Sequence, residues 1–258
     1  MYRTHKQPVG HATRGKTAPL RLRRLDRFLV TELPGLFRRD GGAFVDLGYG
    51  ANPTTTLEAA ARFRTLNPDL PVVGFEIDPV RVEAAAYAND ARTRFARGGF
   101  DLPMLPGESV RVLRAMNVLR QYGEEVVDGV HAELLGRLEP GGLLVEGTST
   151  PSGHRMVVNL LDARSHRIVF CANLRHPLQE PWDFTAILPK NLIHRVRPGE
   201  PVHDLLEAWR EAWSTTHHAA TFGPLAHWCA AGDALARARS DVALRPALLR
   251  RGYLVWTP

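Results

Sequence analysis

Four places in this chain combine residue types that do chemistry on or around a ligand. The first is Asp46-Leu47-Gly48-Tyr49-Gly50, an acid and two glycines closing an apolar run. The glycines let the backbone turn sharply and come close to a ligand. Free N–H groups at the start of a following helix suit an anionic group. A dinucleotide fingerprint needs a third glycine at position 53, where this chain has Pro53. The second place is Glu76, at the end of the apolar run 71–75, whose two oxygens can accept both hydroxyls of a ribose. The third is Phe100-Asp101, behind Gly98-Gly99: an apolar face beside an acceptor for an exocyclic amine, the requirements of an adenine clamp. The fourth is the stretch holding Arg114, Arg120 and Gln121, able to hold an acidic substrate, with Arg120 the favoured cation because it lies past the strand end.

Other groups that could move a proton are scattered. His154, His176, His194 and Tyr122 fall in expected loops near the same edge and are the general-base candidates. His217, His218 and His227 do not share a helix face with a carboxylate, so no metal site is expected there. Residues 10–17 match the phosphate-loop string G-x-x-x-x-G-K-[ST] letter for letter. That mechanism needs a buried strand before the loop and a helix after it. A polar, proline-bearing segment precedes this one and Ala18-Pro19 follows, so the match is read as chance.

These residues need elements to hold them. Leu22, Leu25 and Leu29, with arginines between them, predict an amphipathic helix over 21–30. Short apolar runs at 43–47, 71–76, 93–97, 110–115 and 143–146 predict five strands. Between them lie helices: one opened by a Thr55/Glu58 capping box, one by the Asp78 cap with Pro79, and one over 126–138 that stops at Pro140-Gly141-Gly142. Runs at 156–161 and 167–174 predict an antiparallel hairpin. Residues 175–200 read as a loop, 202–213 and 225–236 as helices, and 252–256 as a last short strand. The expected fold is α/β: a doubly wound, mainly parallel sheet with an antiparallel hairpin at one edge and helices on both faces.

In strand–helix order, Val45-Asp46-Leu47-Gly48-Tyr49-Gly50, then Glu76, then Gly99-Phe100-Asp101-Leu102-Pro103, then Leu138-Glu139-Pro140-Gly141-Gly142-Leu143 resemble the motif series of class I S-adenosylmethionine-dependent methyltransferases. The resemblance covers roughly residues 40–150. It implies S-adenosyl-L-methionine as cofactor. Asp46, Gly48 and Gly50 would border its methionine part, Glu76 its ribose, and Phe100 with Asp101 its adenine. Tyr49 and Ile77 would flank these contacts, and Asn117 would face the cofactor near the methyl group. The chain departs from the pattern at 151–155, too short for the usual helix after the fifth strand, and over 175–258, which matches no motif.

The implied reaction is methyl transfer to an oxygen or nitrogen of a small molecule. Asn117-Val118-Leu119-Arg120 lacks the tetrad that methylation of a base's exocyclic amine uses, and neither cysteine lies where C5 methylation of a pyrimidine needs one. Two alternatives remain: an RNA methyltransferase using a basic N-terminal arm, and a non-catalytic S-adenosylmethionine-binding module.

Composition sets the outer bounds. The 258 residues are 44% hydrophobic and 23% charged, with two cysteines outside any CxxC spacing, which predicts a globular protein without a disulfide scaffold. No run approaches a membrane span, and the N-terminus lacks a signal-peptide core, so a cytoplasmic protein is expected. The net charge of +6 is uneven: residues 1–39 hold ten Lys/Arg against Asp26 and Glu32, and the rest is slightly acidic. A basic leader suits phosphates, but no aromatic platform accompanies it, so nucleic acid is not the favoured partner. Three regions follow: a basic arm and amphipathic helix at 1–39, a Rossmann-like core at 40–175, and a helical and loop extension packed on the core at 176–258.

Overall fold

A computed structural model describes residues 9–12, 15–176 and 178–258. Two short helices, α1 (Arg23–Glu32) and α2 (Gly35–Arg38), precede β1 (Ala43–Leu47). Then come α3 (Thr54–Phe63), β2 (Val72–Glu76), α4 (Pro79–Ala85), β3 (Thr93–Arg97), β4 (Val110–Met116), α5 (Val127–Leu135) and β5 (Leu138–Ser149). The hairpin β6 (Arg155–Leu161) and β7 (His166–Ala172) follows directly. The remainder forms α6 (Lys190–Ile193), α7 (Pro201–Thr215), α8 (Pro224–Ala238), α9 (Pro246–Leu249) and β8 (Tyr253–Trp256).

All eight strands join one sheet in the order β3-β2-β1-β4-β5-β6-β7-β8. The first five pair in parallel, and β5 to β8 form an antiparallel meander. The order 3-2-1-4-5 is that of a doubly wound sheet, with its reversal between β1 and β4. The fold is Rossmann-like.

Burial explains why β1, β2 and β4 read as continuous apolar runs. Each is buried on both faces along its whole length. Phe44, Val72 and Val112 face the layer of α1, α2 and α3, while Val45, Val73 and Leu113 face the layer containing α5. Under α7 and α8 a third cluster is built on aromatics: Phe184 stacks on Trp209 at 5.6 Å between ring centres, and Phe170 and Trp228 pack edge-on or tilted around them.

Several expectations change here. The capping box does not form: α3 begins after Pro53, Thr55 is buried, and the Glu58 carboxylate instead accepts the Leu20 N–H at 2.9 Å. The Asp78 cap does form, accepting Val80 N–H at 2.9 Å. Pro140-Gly141-Gly142 does not stop a helix but lies within β5, where the pairing with β4 shifts register. β8 pairs with β7, so the C-terminal segment completes the central sheet rather than only packing on it. Within 175–200 the expected loop holds a 3-10 turn over Pro181–Ile187 and α6.

The two margins of the sheet are occupied by the chain itself. Beyond β8, Val242 bridges to Trp256, and Ala243 N–H and Thr257 N–H bond to Val255 and Asp241 carbonyls at 2.9 and 2.8 Å. Beyond β3, Asp90 N–H donates to the Thr93 carbonyl and the Asn89 side chain accepts from Phe95 N–H. Among the described residues no helix is long and apolar enough to cross a membrane.

Candidate functional site

The carboxyl ends of β1 and β4 open onto a cavity of about 770 Å³ at the point where strand order reverses, the place where ligands bind in doubly wound sheets. The bend Gly48-Tyr49-Gly50 forms one wall, with Gly48 at φ 70° and Gly50 at φ 89°. A side chain at Gly50 would be strained there and would meet the Gly15 carbonyl at 3.0 Å. Met116, Asn117 and Ser149 form the floor. Asn117 holds φ 62°, a left-handed conformation tolerated by asparagine. Its Oδ1 accepts Ser149 N–H at 2.9 Å and its Nδ2 donates to Ser149 Oγ at 3.1 Å, which pins the ends of β4 and β5 together.

Below the bend lies a buried charge triad. Asp46 and Arg114 are register partners on adjacent parallel strands, so their side chains share a face. Arg114 donates Nε to Asp46 Oδ1 at 2.9 Å, Nη2 to Asp46 Oδ2 at 2.7 Å and Nη1 to Asp26 Oδ1 of α1 at 2.7 Å. Thr56 Oγ1 adds a 2.6 Å bond to Asp46 Oδ2. Both Asp46 oxygens are therefore engaged, and Arg114 is turned inward rather than toward a substrate. Burial would lower the Arg114 pKa, but Asp46 and Asp26 together hold it above its ordinary value. Burial raises the Asp26 pKa to about 7, against the opposing pull of Arg114 and with Asp46 adding to the rise.

That shift gives a signed prediction. The ordinary Asp pKa is about 4. Between that value and about 7 the folded chain keeps a proton that the unfolded chain releases, so the Asp26 contribution to stability falls as pH rises through this window. In Asp26→Asn the contribution is absent. Denaturant unfolding from pH 4 to pH 8 should show the variant gaining on the parent protein as pH rises, with the difference levelling off above 7. A pH-independent difference would remove Asp26 from the titration.

Glu76 closes β2, is buried, and faces the same bend. Its Oε2 accepts Gly50 N–H at 3.0 Å and its Oε1 accepts Ile77 N–H at 2.9 Å, with Arg81 3.5 Å from Oε2. Beside it runs a second, narrow space lined by Ile77, Phe100 and Tyr122, with a cavity volume of only about 10 Å³, room for no more than a water molecule. The N-terminal arm fills it. Val9 N–H donates to Asp101 Oδ1 at 3.2 Å, and the Val9 carbonyl accepts Phe100 N–H at 2.9 Å. Gly99 makes this approach possible: a Cβ there would lie 2.0 Å from the Val9 oxygen. His11 stacks on Tyr122 at 5.4 Å, and the Tyr122 hydroxyl accepts the His11 N–H. Further along, the Gly15 carbonyl accepts Ala51 N–H at 2.9 Å. Sequence reasoning had no signal for this strap, whose contacts are made by backbone groups.

The expected residues thus divide. Asp46, Gly48, Tyr49, Gly50, Asn117 and Arg120 line the large cavity, and Glu76, Ile77, Phe100 and Tyr122 line the narrow space with Asp101 at its rim. His154 and His194 line neither. His154 pairs with Ser152 and its ring lies 5.2 Å from that of His176; burial is the main cause holding its pKa below the usual value. His194 is exposed at the end of α6. Among the described residues no histidine lines the large cavity. Burial raises the Tyr49 and Tyr122 hydroxyl pKa values, so neither is poised as a base. Lys16, Arg21 and Arg120 bring positive charge to the wall. Arg21 is spent on the Lys16, Ser149 and Thr150 carbonyls and on Ser149 Oγ, and Arg120 donates to the Ala186 carbonyl, while the Lys16 ammonium has no hydrogen-bonded partner among the described residues. Thr17 runs into turn rather than helix, which removes the helix that a phosphate loop requires.

No family model and no curated protein matches the chain. Solved structures that resemble it include the plantazolicin methyltransferase BpumL in complex with a triazolic desmethylPZN analog and SAH (11% identity, 52% of this chain and 48% of that chain, TM-score 0.41). Others are magnesium protoporphyrin IX methyltransferase from Synechocystis PCC 6803 with SAH (17%, 50% and 54%, 0.38) and the CcbJ methyltransferase from Streptomyces caelestis (17%, 60% and 66%, 0.38). The first two matches span about half the length of those chains. Likeness at this level sets neither activity nor substrate.

Proposed function

We propose that this chain binds S-adenosyl-L-methionine across the ends of β1, β2 and β3 and transfers its methyl group to an oxygen or nitrogen of a small molecule. The observation that carries the reading is the edge at Phe100-Asp101. One backbone donor and one carboxylate acceptor stand side by side there, and Val9 meets them with one carbonyl and one N–H. The amino group and neighbouring ring nitrogen of adenine present the same acceptor–donor pair. On this reading Glu76, one strand over, would accept the ribose hydroxyls in exchange for its present Gly50 and Ile77 amide bonds, and the glycine bend would border the amino-acid end. The residues fit the cofactor once the arm leaves the narrow space.

Bound S-adenosylmethionine supplies an activated methyl group on a positive sulfur. The protein then has to align the acceptor and exclude water, and alignment is worth several kcal/mol. Asp46 is paired with Arg114 and hydrogen-bonded by Thr56, the two tyrosines hold their protons, and among the described residues no histidine lines the cavity. This favours an acceptor that needs no strong base, such as a group already ionised, steadied by Lys16 and Arg120.

Titration calorimetry with S-adenosylhomocysteine, NAD and ATP in parallel tests the reading. S-adenosylhomocysteine should bind and the other two should not. Glu76→Ala should weaken that binding at least tenfold through loss of charge-assisted bonds, an effect of about 1.4 kcal/mol or more. Equal affinity in the variant would take Glu76 out of the site.

A further inference from the structure

A further cavity, about 690 Å³, lies beside α1 and shares no lining residue with the first cavity. Arg24, Arg27, Phe28 and Thr31 line it, spaced three and four residues apart, so they form one stripe of the helix. Arg62 of α3, Arg175 after β7, and Arg250 and Arg251 after α9 complete its wall. Among the described residues, six arginines therefore converge on one concavity, against the single lining carboxylate of Glu32. Glu32 is already shared between Arg245 at 2.6 Å and Arg251 at 3.8 Å. Arg24 is fixed by bonds to Cys171 Sγ and to the Ala172 and Arg251 carbonyls. The side chains of Arg27, Arg62, Arg175 and Arg250 have no hydrogen bond or ion pair among the described residues, and Arg62 Nε is buried without an acceptor.

Gathering six cations around one lining carboxylate costs stability, since the cations repel one another. Guanidinium groups are matched to carboxylate and phosphate oxygens, which they bind in pairs. From this we infer that the cavity is a binding site for a compact polyanion, a small molecule bearing several phosphate or carboxylate oxygens. Its volume is that of a small-molecule pocket. Leu174 and Leu225 give it an apolar rim for the body of such a ligand. A nucleic-acid strand is disfavoured because Phe28 and Tyr253, the aromatic residues lining the cavity, are both buried and offer no face for base stacking. The site is separate from the proposed cofactor cavity and does not depend on that assignment.

Calorimetric titration of the full chain with inorganic tripolyphosphate and with citrate tests this. Saturable binding of either, weakened at least tenfold in Arg27→Glu/Arg250→Glu, is the expected result, and which anion binds tells phosphate from carboxylate preference. Both side chains are exposed and have no hydrogen bond or ion pair among the described residues, and matching thermal melts will confirm an intact fold. The control Arg210→Glu/Arg237→Glu changes net charge equally on α7 and α8 and should leave binding within twofold. Equal weakening in both variants would reduce the attraction to overall charge and overturn the site. Displacement by saturating S-adenosylhomocysteine, or binding only to a 20-nucleotide single-stranded RNA with a steep salt dependence, would overturn it as well.

Discussion

Replacing Arg114 with methionine should lower stability by about 3–5 kcal/mol, the cost of stranding buried carboxylates without their cation. Arg114 is fully buried and satisfies Asp46 through two bonds and Asp26 through one, while a further donor reaches the Thr55 carbonyl at 3.1 Å. Its guanidinium also lies 5.1 Å from the centre of the Phe44 ring. One residue thus links α1, β1, α3 and β4 directly under the glycine bend. The methionine variant keeps the side-chain bulk and removes the charge, so the loss reads electrostatics rather than a void. For a domain of this size the melting temperature should drop by roughly 10 °C. Adding Asp26→Asn and Asp46→Asn to the variant should recover part of the loss, since replacing a whole buried ionic cluster by neutral groups is often close to harmless. A loss below about 1 kcal/mol in urea unfolding of the single variant would mean that the triad is not a stabilising unit.

Deleting residues 1–12 should tighten S-adenosylhomocysteine binding about tenfold. In the full chain Val9 occupies the Phe100-Asp101 edge through two hydrogen bonds, and His11 rests on Tyr122. Each such bond contributes about 1 kcal/mol net, so an arm held this way leaves the edge open only part of the time. A ligand whose site is open a fraction of the time binds more weakly by that fraction. Calorimetry on the two chains measures the difference directly. Unchanged or weaker binding after deletion would show that the strap does not compete with the ligand.

The sequence was most readable at strand ends. Glu76 ends and Asp46 nearly ends a run buried on both faces, so the break in hydrophobicity marks their positions without knowledge of neighbours. The Asp78 cap was equally local, because the cap and the amide it binds are two residues apart. What escaped depends on register and on distant chain. Nothing in Val110–Met116 tells that Arg114 lands opposite Asp46, because parallel pairing is set by the whole sheet. Glu58 had the spacing of a capping box, yet the backbone at Leu20 claimed it. Pro140-Gly141-Gly142 reads as a stop, but it sits where β5 bulges against β4 and pairing then resumes. The strap over Gly99 was invisible because any residue can supply a peptide carbonyl and amide.

The occupied margins of the sheet have a consequence for how copies of this protein meet. Polymerisation through strand addition needs a row of unpaired amides along an outermost strand. At β8 that row is taken up by residues 241–243, and at β3 the Asn89-Asp90 corner and the arginines Arg94 and Arg97 interrupt it. Contacts between molecules must then be made through helices and loops, so even crowded or partly heated solutions should resist fibril growth from the native state.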